Sequence, residues 1–175
     1  MPLDITKMLH RVVDLELTVD DAKELLIGPA ARQQTIFVML DCQLANFVQA
    51  AGWADVLNQE EHDPALARQS YLKALALLLL FSAKKQWTHL VVMDDDQWQR
   101  VTTAKQSTKL ADLNKEYLAI KHSLNGAYYS HRQEDFRHAW HLLLKMGIVD
   151  FSYQPADLQK GYLALLDKVA KQYED

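Results

Sequence analysis

Three consecutive aspartates, Asp94, Asp95 and Asp96, three histidines close in sequence, His131, His138 and His141, and a single cysteine, Cys42, are the residues here whose types could do chemistry. An acidic run could hold a hard cation, because Ca²⁺ and Mg²⁺ take several oxygen ligands. An EF-hand loop, however, sets its acids at alternating positions around a glycine and closes on a glutamate, and this run does neither. The expectation is a solvated connection. His138 and His141 lie three apart on one helix and could turn towards a common metal. No carboxylate stands beside them at the spacing of a known metal motif, so a structural or surface role is expected. Cys42 lies between Leu40 and Leu44, where a small buried thiol is expected. A reactive thiolate would need cationic neighbours that the local sequence lacks. The chain has no glycine-rich phosphate loop, no GxSxG elbow and no HExxH. Trp87, Trp98, Tyr128, Tyr129 and Trp140 read as core and interface aromatics rather than as a platform for stacking bases.

The elements that must position these groups read as helices throughout. Glycine and proline are scarce, at 5 and 4 residues, and fall at punctuation points,. Ile5, Met8, Leu9, Val12 and Val13 form a stripe of helical period over about Leu3–Glu16. Thr18 with Asp21 then resembles a capping box for a second short piece that ends near Ile27, before Gly28 and Pro29. A long helix is expected over Ala31–Ala51, ended by Gly52. Asp63 and Pro64 supply an N-cap and a first-turn proline for Pro64–Lys84. The middle of that helix, YLKALALLLLF from Tyr71 to Phe81, is apolar on nearly every side, as the central helix of a bundle would be. The stretch from Asp94 to Lys109 reads as a loop or short irregular helix. Further helices are expected over Leu110–Tyr129, over Arg132–Met146 with Ser130 as cap and Gly147 as C-terminal glycine, and over Pro155–Tyr173. HLVV, from His89 to Val92, is the best strand alternative. The expected fold is all-α, a single domain over residues 1–175 built as a bundle of four or five helices.

Composition bounds the partners. With 19 Lys plus Arg against 23 Asp plus Glu, the formal charge of −4 gives no overall positive field for a phosphate backbone, so nucleic-acid binding is not expected,. One cysteine excludes an internal disulfide framework. The N-terminal segment has no uninterrupted apolar core of the signal-peptide kind, and the longest apolar run, Ala74 to Phe81, falls far short of the roughly 20 residues that span a bilayer. A cytoplasmic protein without a membrane partner is the expectation.

The order of segments resembles the dimeric all-α dUTP diphosphatases, a branch of the all-α nucleoside triphosphate pyrophosphohydrolases. LNKEYLAIKHSLNGAYYSHRQEDFRHAWHLLLKMGI is similar to the family's pair of helices that follow the catalytic ones. FSYQPADLQKGYLALLDK is similar to its last helix. FVMLDCQLANFVQAAGW resembles the helix that carries an ELGELANE-type sequence, through Leu44, Ala45 and Asn46. SYLKALALLLLF resembles the helix that carries an EYVDGLHFLL-type sequence, through Tyr71 and Leu75.

In the family, the resemblance implies, those two helices hold an ExxE and an ExxD whose carboxylates bind Mg²⁺ against a triphosphate. Here the ExxE falls on Leu40 and Gln43 and the ExxD on Ser70 and Lys73. Between Pro64 and Met93 there is no Asp or Glu at all, so no shift of register supplies an acid, and Lys73 would repel a cation,. Leu165, Leu166 and Val169 stand where the family's last helix carries polar groups, which implies a pocket filled with core. The expectation is a homodimer that keeps the fold and has lost metal-dependent hydrolysis, with no catalytic residue, no cofactor and no metal. It would act as a binding, regulatory or structural partner. The alternative is an active, Mg²⁺-dependent pyrophosphohydrolase with a site rebuilt from Asp41, Asp55, Glu60 and Glu61 or from Asp94–Asp96. Gln43 and Lys73 could also meet a nucleotide phosphate directly.

Overall fold

A computed structural model describes residues 1–57 and 61–174, and within them every regular element is helical. Seven α-helices follow in order: α1 Ile5–Lys23, α2 Pro29–Ala51, α3 Pro64–Lys84, α4 Asp95–Thr102, α5 Leu110–Ser130, α6 Gln133–Lys145 and α7 Pro155–Ala170. The bundle therefore has more helices than the four or five expected.

Asp4 caps α1 by accepting from the Lys7 backbone N–H at 3.0 Å,. The helix then runs through Thr18 without the expected break. The Thr18 hydroxyl donates back to the Asp14 carbonyl at 3.0 Å, a bond made inside a helix, so it caps nothing,. Pro29 opens α2 and Gly52 ends it in the left-handed region at φ 75°,. A Cβ at Gly52 would also sit 2.1 Å from the His62 ring, so both backbone and space require glycine there,.

α2 and α3 form an antiparallel hairpin. It is tied at one end by the Asp63 N–H donating to the Ala50 carbonyl at 2.9 Å, and at the other by the Gln33 amide donating to the Lys84 carbonyl at 3.3 Å. α3 occupies the centre as its sequence predicts: twelve of its 21 residues are buried. Side chains such as Leu75 and Leu79, both at 0% exposure, each contribute about 1.5–3 kcal/mol by leaving water,. The helix is long and apolar enough by composition to cross a membrane, and 67% of its most apolar window is covered by the bundle.

HLVV is not a strand. Thr88–Leu90 is a 3₁₀ turn, and the Val91 carbonyl accepts from the buried Trp140 indole at 3.0 Å. Of the two forms expected for this stretch, the short helix is the one present, and the exposed aspartate run begins it as α4: Asp94 and Gln97 make a reciprocal capping box at 2.8 and 3.0 Å, and Asp95 and Asp96 sit in the first turn, where the helix dipole favours acids,.

His131, at φ 53°, ends α5, so Ser130 closes that helix and does not cap the next. Gly147 does not terminate α6. The helix widens into a π-turn over Met146–Asp150, with Gly147 buried inside it. The reason is space: a Cβ at 147 would stand 2.2 Å from the ring of Tyr71, whose hydroxyl donates to the Leu143 carbonyl at 2.8 Å,.

α1 and α7 lie side by side and run parallel. Asp4 N–H donates to Gln159, the Tyr162 hydroxyl donates to the Met8 carbonyl at 2.9 Å, and Arg11 pairs with Asp167 at 2.8 Å.

Candidate functional site

A cleft of about 550 Å³ to which four helices contribute lies between α1 and α2, floored by α3 and closed at one side by α7. Helical period puts its walls in place: Val12, Leu15 and Val19 from α1, Ile36 and Met39 from α2, Ala76, Leu77 and Leu80 from α3, and Leu165, Leu166 and Val169 from α7,. Leu25 and Ile27 of the α1–α2 connection complete the rim.

The two ends of the cleft differ electrostatically. At the end where α2 begins, Arg32 donates to Asp20 at 2.8 Å and to Glu16 at 3.1 Å, and Lys84 pairs with Glu16 at 2.5 Å. The hydrogen bond to Asp20 holds the Arg32 guanidinium above its ordinary range, burial opposing and the Glu16 carboxylate adding to it. This end is balanced in charge. At the other end stand Gln43 and Lys73, brought together by the antiparallel hairpin. Among the described residues neither has a hydrogen-bond or ion-pair partner.

The four positions singled out by the resemblance thus divide in two. Leu40 and Ser70 are buried, at 1% and 2% exposure, while Gln43 and Lys73 face the cleft. Leu166 is in the core, as expected, and Leu165 and Val169 pack against it, yet space is left in front of them. They form an apolar wall around open space, because α7 leans on α1 and leaves the seam between α1 and α2 uncovered.

The other candidates are scattered. Cys42 is exposed rather than buried, since it lies two residues from both Leu40 and Leu44, on the side of α2 away from the buried stripe,. Asp41 pairs with Lys121 of α5, Glu61 is exposed, Asp94 to Asp96 start α4, and Glu60 lies outside the described residues. The Lys85 ammonium donates to His131 Nδ1 at 2.9 Å, His138 is exposed, and His141 is half-buried,. Burial, with Arg137 and His138 adding to it, lowers the His141 pKa. Among the described residues no three His, Cys, Asp or Glu side chains come together as a metal-ligating group. Of the five aromatics, Trp87 and Trp140 are in the core, while Tyr129 is 75% exposed.

A second polar centre was not foreseen from the sequence. Lys145 of α6 donates to Glu116 of α5 at 2.7 Å, to Asp150 of the π-turn at 2.8 Å and to the Ser107 hydroxyl at 2.9 Å. The Ser107 N–H donates to Asp150 at 2.7 Å and its hydroxyl to Glu116 at 3.1 Å. Burial raises the Glu116 pKa against the pull of the Lys145 hydrogen bond. For Lys145 burial works downward, but hydrogen bonds to Asp150 and Glu116 outweigh it and the net shift is upward. A serine and lysine at this distance suggest a nucleophile and its base, which requires a neutral amine. Two carboxylates hold Lys145 as an ammonium, so the cluster is a clamp on the 103–109 connection and not a dyad. Its sequence signal was Glu116, an acid on the α5 stripe of Leu113, Ile120 and Leu124.

Comparison with known protein families, with curated protein sequences and with solved structures gives no match. The class that the architecture defines is an all-helical bundle with an apolar interhelical cleft.

Proposed function

We propose that the chain is a dUTPase-like helical protein that has lost metal-dependent nucleotide hydrolysis and works through its cleft as a binding or regulatory homodimer. The observation that carries this reading is the composition of the cleft. Two positions where the resemblance calls for acids, Gln43 and Lys73, line it, and its remaining surface is largely hydrocarbon. A triphosphate carries several negative charges and a metal needs oxygen ligands, whereas the two carboxylates in the cleft, Glu16 and Asp20, are already engaged by Arg32 and Lys84,. Dimerisation is supported by Val38 on α2 and Leu118 on α5. They are 58% and 64% exposed and lie within one turn of the Asp41–Lys121 pair,.

The test is pyrophosphate release from dUTP with Mg²⁺, beside titration with a non-hydrolysable dUTP analogue and sedimentation of the free protein. The expected result is no turnover, no metal-dependent binding and a dimer. Mg²⁺-dependent turnover would replace this reading with the alternative of an active pyrophosphohydrolase.

A further inference from the structure

We propose that the cleft binds a single-headed anionic amphiphile, an alkyl carboxylate in chemical class, with its head at Lys73 and Gln43 and its tail along Leu77, Leu80 and Ile36. The proposal rests on the non-hydrolytic reading and names the ligand of the same cleft. Its first support is the placement of charge. Arg32 has its own carboxylate partners, which leaves Lys73 as the cleft-lining cation with none among the described residues.

An ammonium and a primary amide side by side offer donors for one anionic head. They do not offer the charge needed by a polyphosphate, and at the far end Arg32 is already taken by Glu16 and Asp20, so no free cation there meets a second anionic group,. The second support is shape. From Lys73 to Leu80 the cleft follows α3 for about 10 Å at 1.5 Å per residue, and its walls over that length are apolar,. A volume of about 550 Å³ lies within the roughly 300–1,000 Å³ of small-molecule clefts,. An alkyl tail gains by burial there, and a hydrated polar ligand would lose its water without replacement partners.

The experiment titrates the full chain calorimetrically with decanoate below its micelle threshold. Decanol and decyltrimethylammonium serve as matched tails with neutral and cationic heads, vesicles of anionic phospholipid as a bilayer source, and dUTP turnover is measured on the same preparation. Decanoate is expected to bind saturably at one site, decanol more weakly and the cation not at all. Lys73→Ala and Lys73→Gln should each weaken decanoate by about 10- to 100-fold, the loss of a hydrogen bond to a charged group, and leave decanol unchanged. Met39→Trp, at the 43% exposed rim, should narrow the cleft and weaken both tails alike. Unfolding temperatures of the three variants show whether each is folded.

No decanoate binding, equal affinity for all three heads, equal affinity of the wild type and both Lys73 variants, or binding to vesicles alone would each overturn the proposal. If it fails while dUTP is left unhydrolysed, the non-hydrolytic reading still stands. Mg²⁺-dependent turnover removes that reading itself.

Discussion

Two lysines divide this molecule. Lys145 is 11% exposed by side chain and surrounded by Glu116, Asp150 and Ser107. Lys73, on the central helix, stands at the end of an apolar cleft with no partner among the described residues. A buried ammonium is tolerated because every one of its protons is used. A half-exposed ammonium beside hydrocarbon keeps its water and stays available. An ammonium whose protons are all taken holds structure together, and one left without a partner beside a cavity is where a ligand can contribute the missing half.

The comparison breaks most sharply at the clamp. Lys145→Met should destabilise by about 3–5 kcal/mol, because it strands two buried carboxylates, and lower the melting temperature by on the order of 10 °C in a calorimetric scan. Adding Glu116→Leu should recover part of that loss. If the single variant melts like the wild type, the clamp is not holding the fold. Next in size, Gly147→Ala must push a methyl into the buried Tyr71 ring, a strain of about 1–3 kcal/mol that urea unfolding would measure,.

Alkaline titration comes third. Lys145 is raised, and burial, the first cause for both Tyr71 and Tyr162, raises those hydroxyls well above their ordinary range. The folded state therefore keeps protons that the unfolded chain gives up near pH 10. Stability is full below that pH and falls as pH rises beyond it. Tyr71→Phe with Tyr162→Phe should flatten the fall, and an unchanged slope in denaturant midpoints would contradict the assignment. The smallest effect belongs to Lys73→Met. With no partner to strand, it should shift stability by no more than about 0.5 kcal/mol, against the several kcal/mol at Lys145.

The helices were legible where pattern and cap agreed. Pro64–Lys84 has the predicted bounds because Asp63, Pro64 and an unbroken apolar run all say the same thing. Thr18 misled because a hydroxyl that can cap a helix can also bond back to the fourth residue before it. Gly147 misled because glycine ends helices in general, and its need here comes from Tyr71, 76 positions earlier. The cleft was half legible: Gln43 and Lys73 were singled out, but whether hydrocarbon walls meet or stay apart depends on how α7 leans, which no local pattern encodes. The clamp joins residues 107, 116, 145 and 150, which share no period, so only the misplaced acid at Glu116 announced it.

The parallel pairing of α1 with α7 also bears on how the chain reaches its fold. Its ties join residues 154 to 156 positions apart, so bringing the two helices together closes a long loop of chain, and contacts of that range slow folding,. α1 packs against α3 as well as α7, so the hairpin already covers part of its apolar stripe before α7 docks. The wall that completes the cleft arrives in the same step, so the docking of α7 on α1 is what turns a hairpin and its neighbour into a walled cavity.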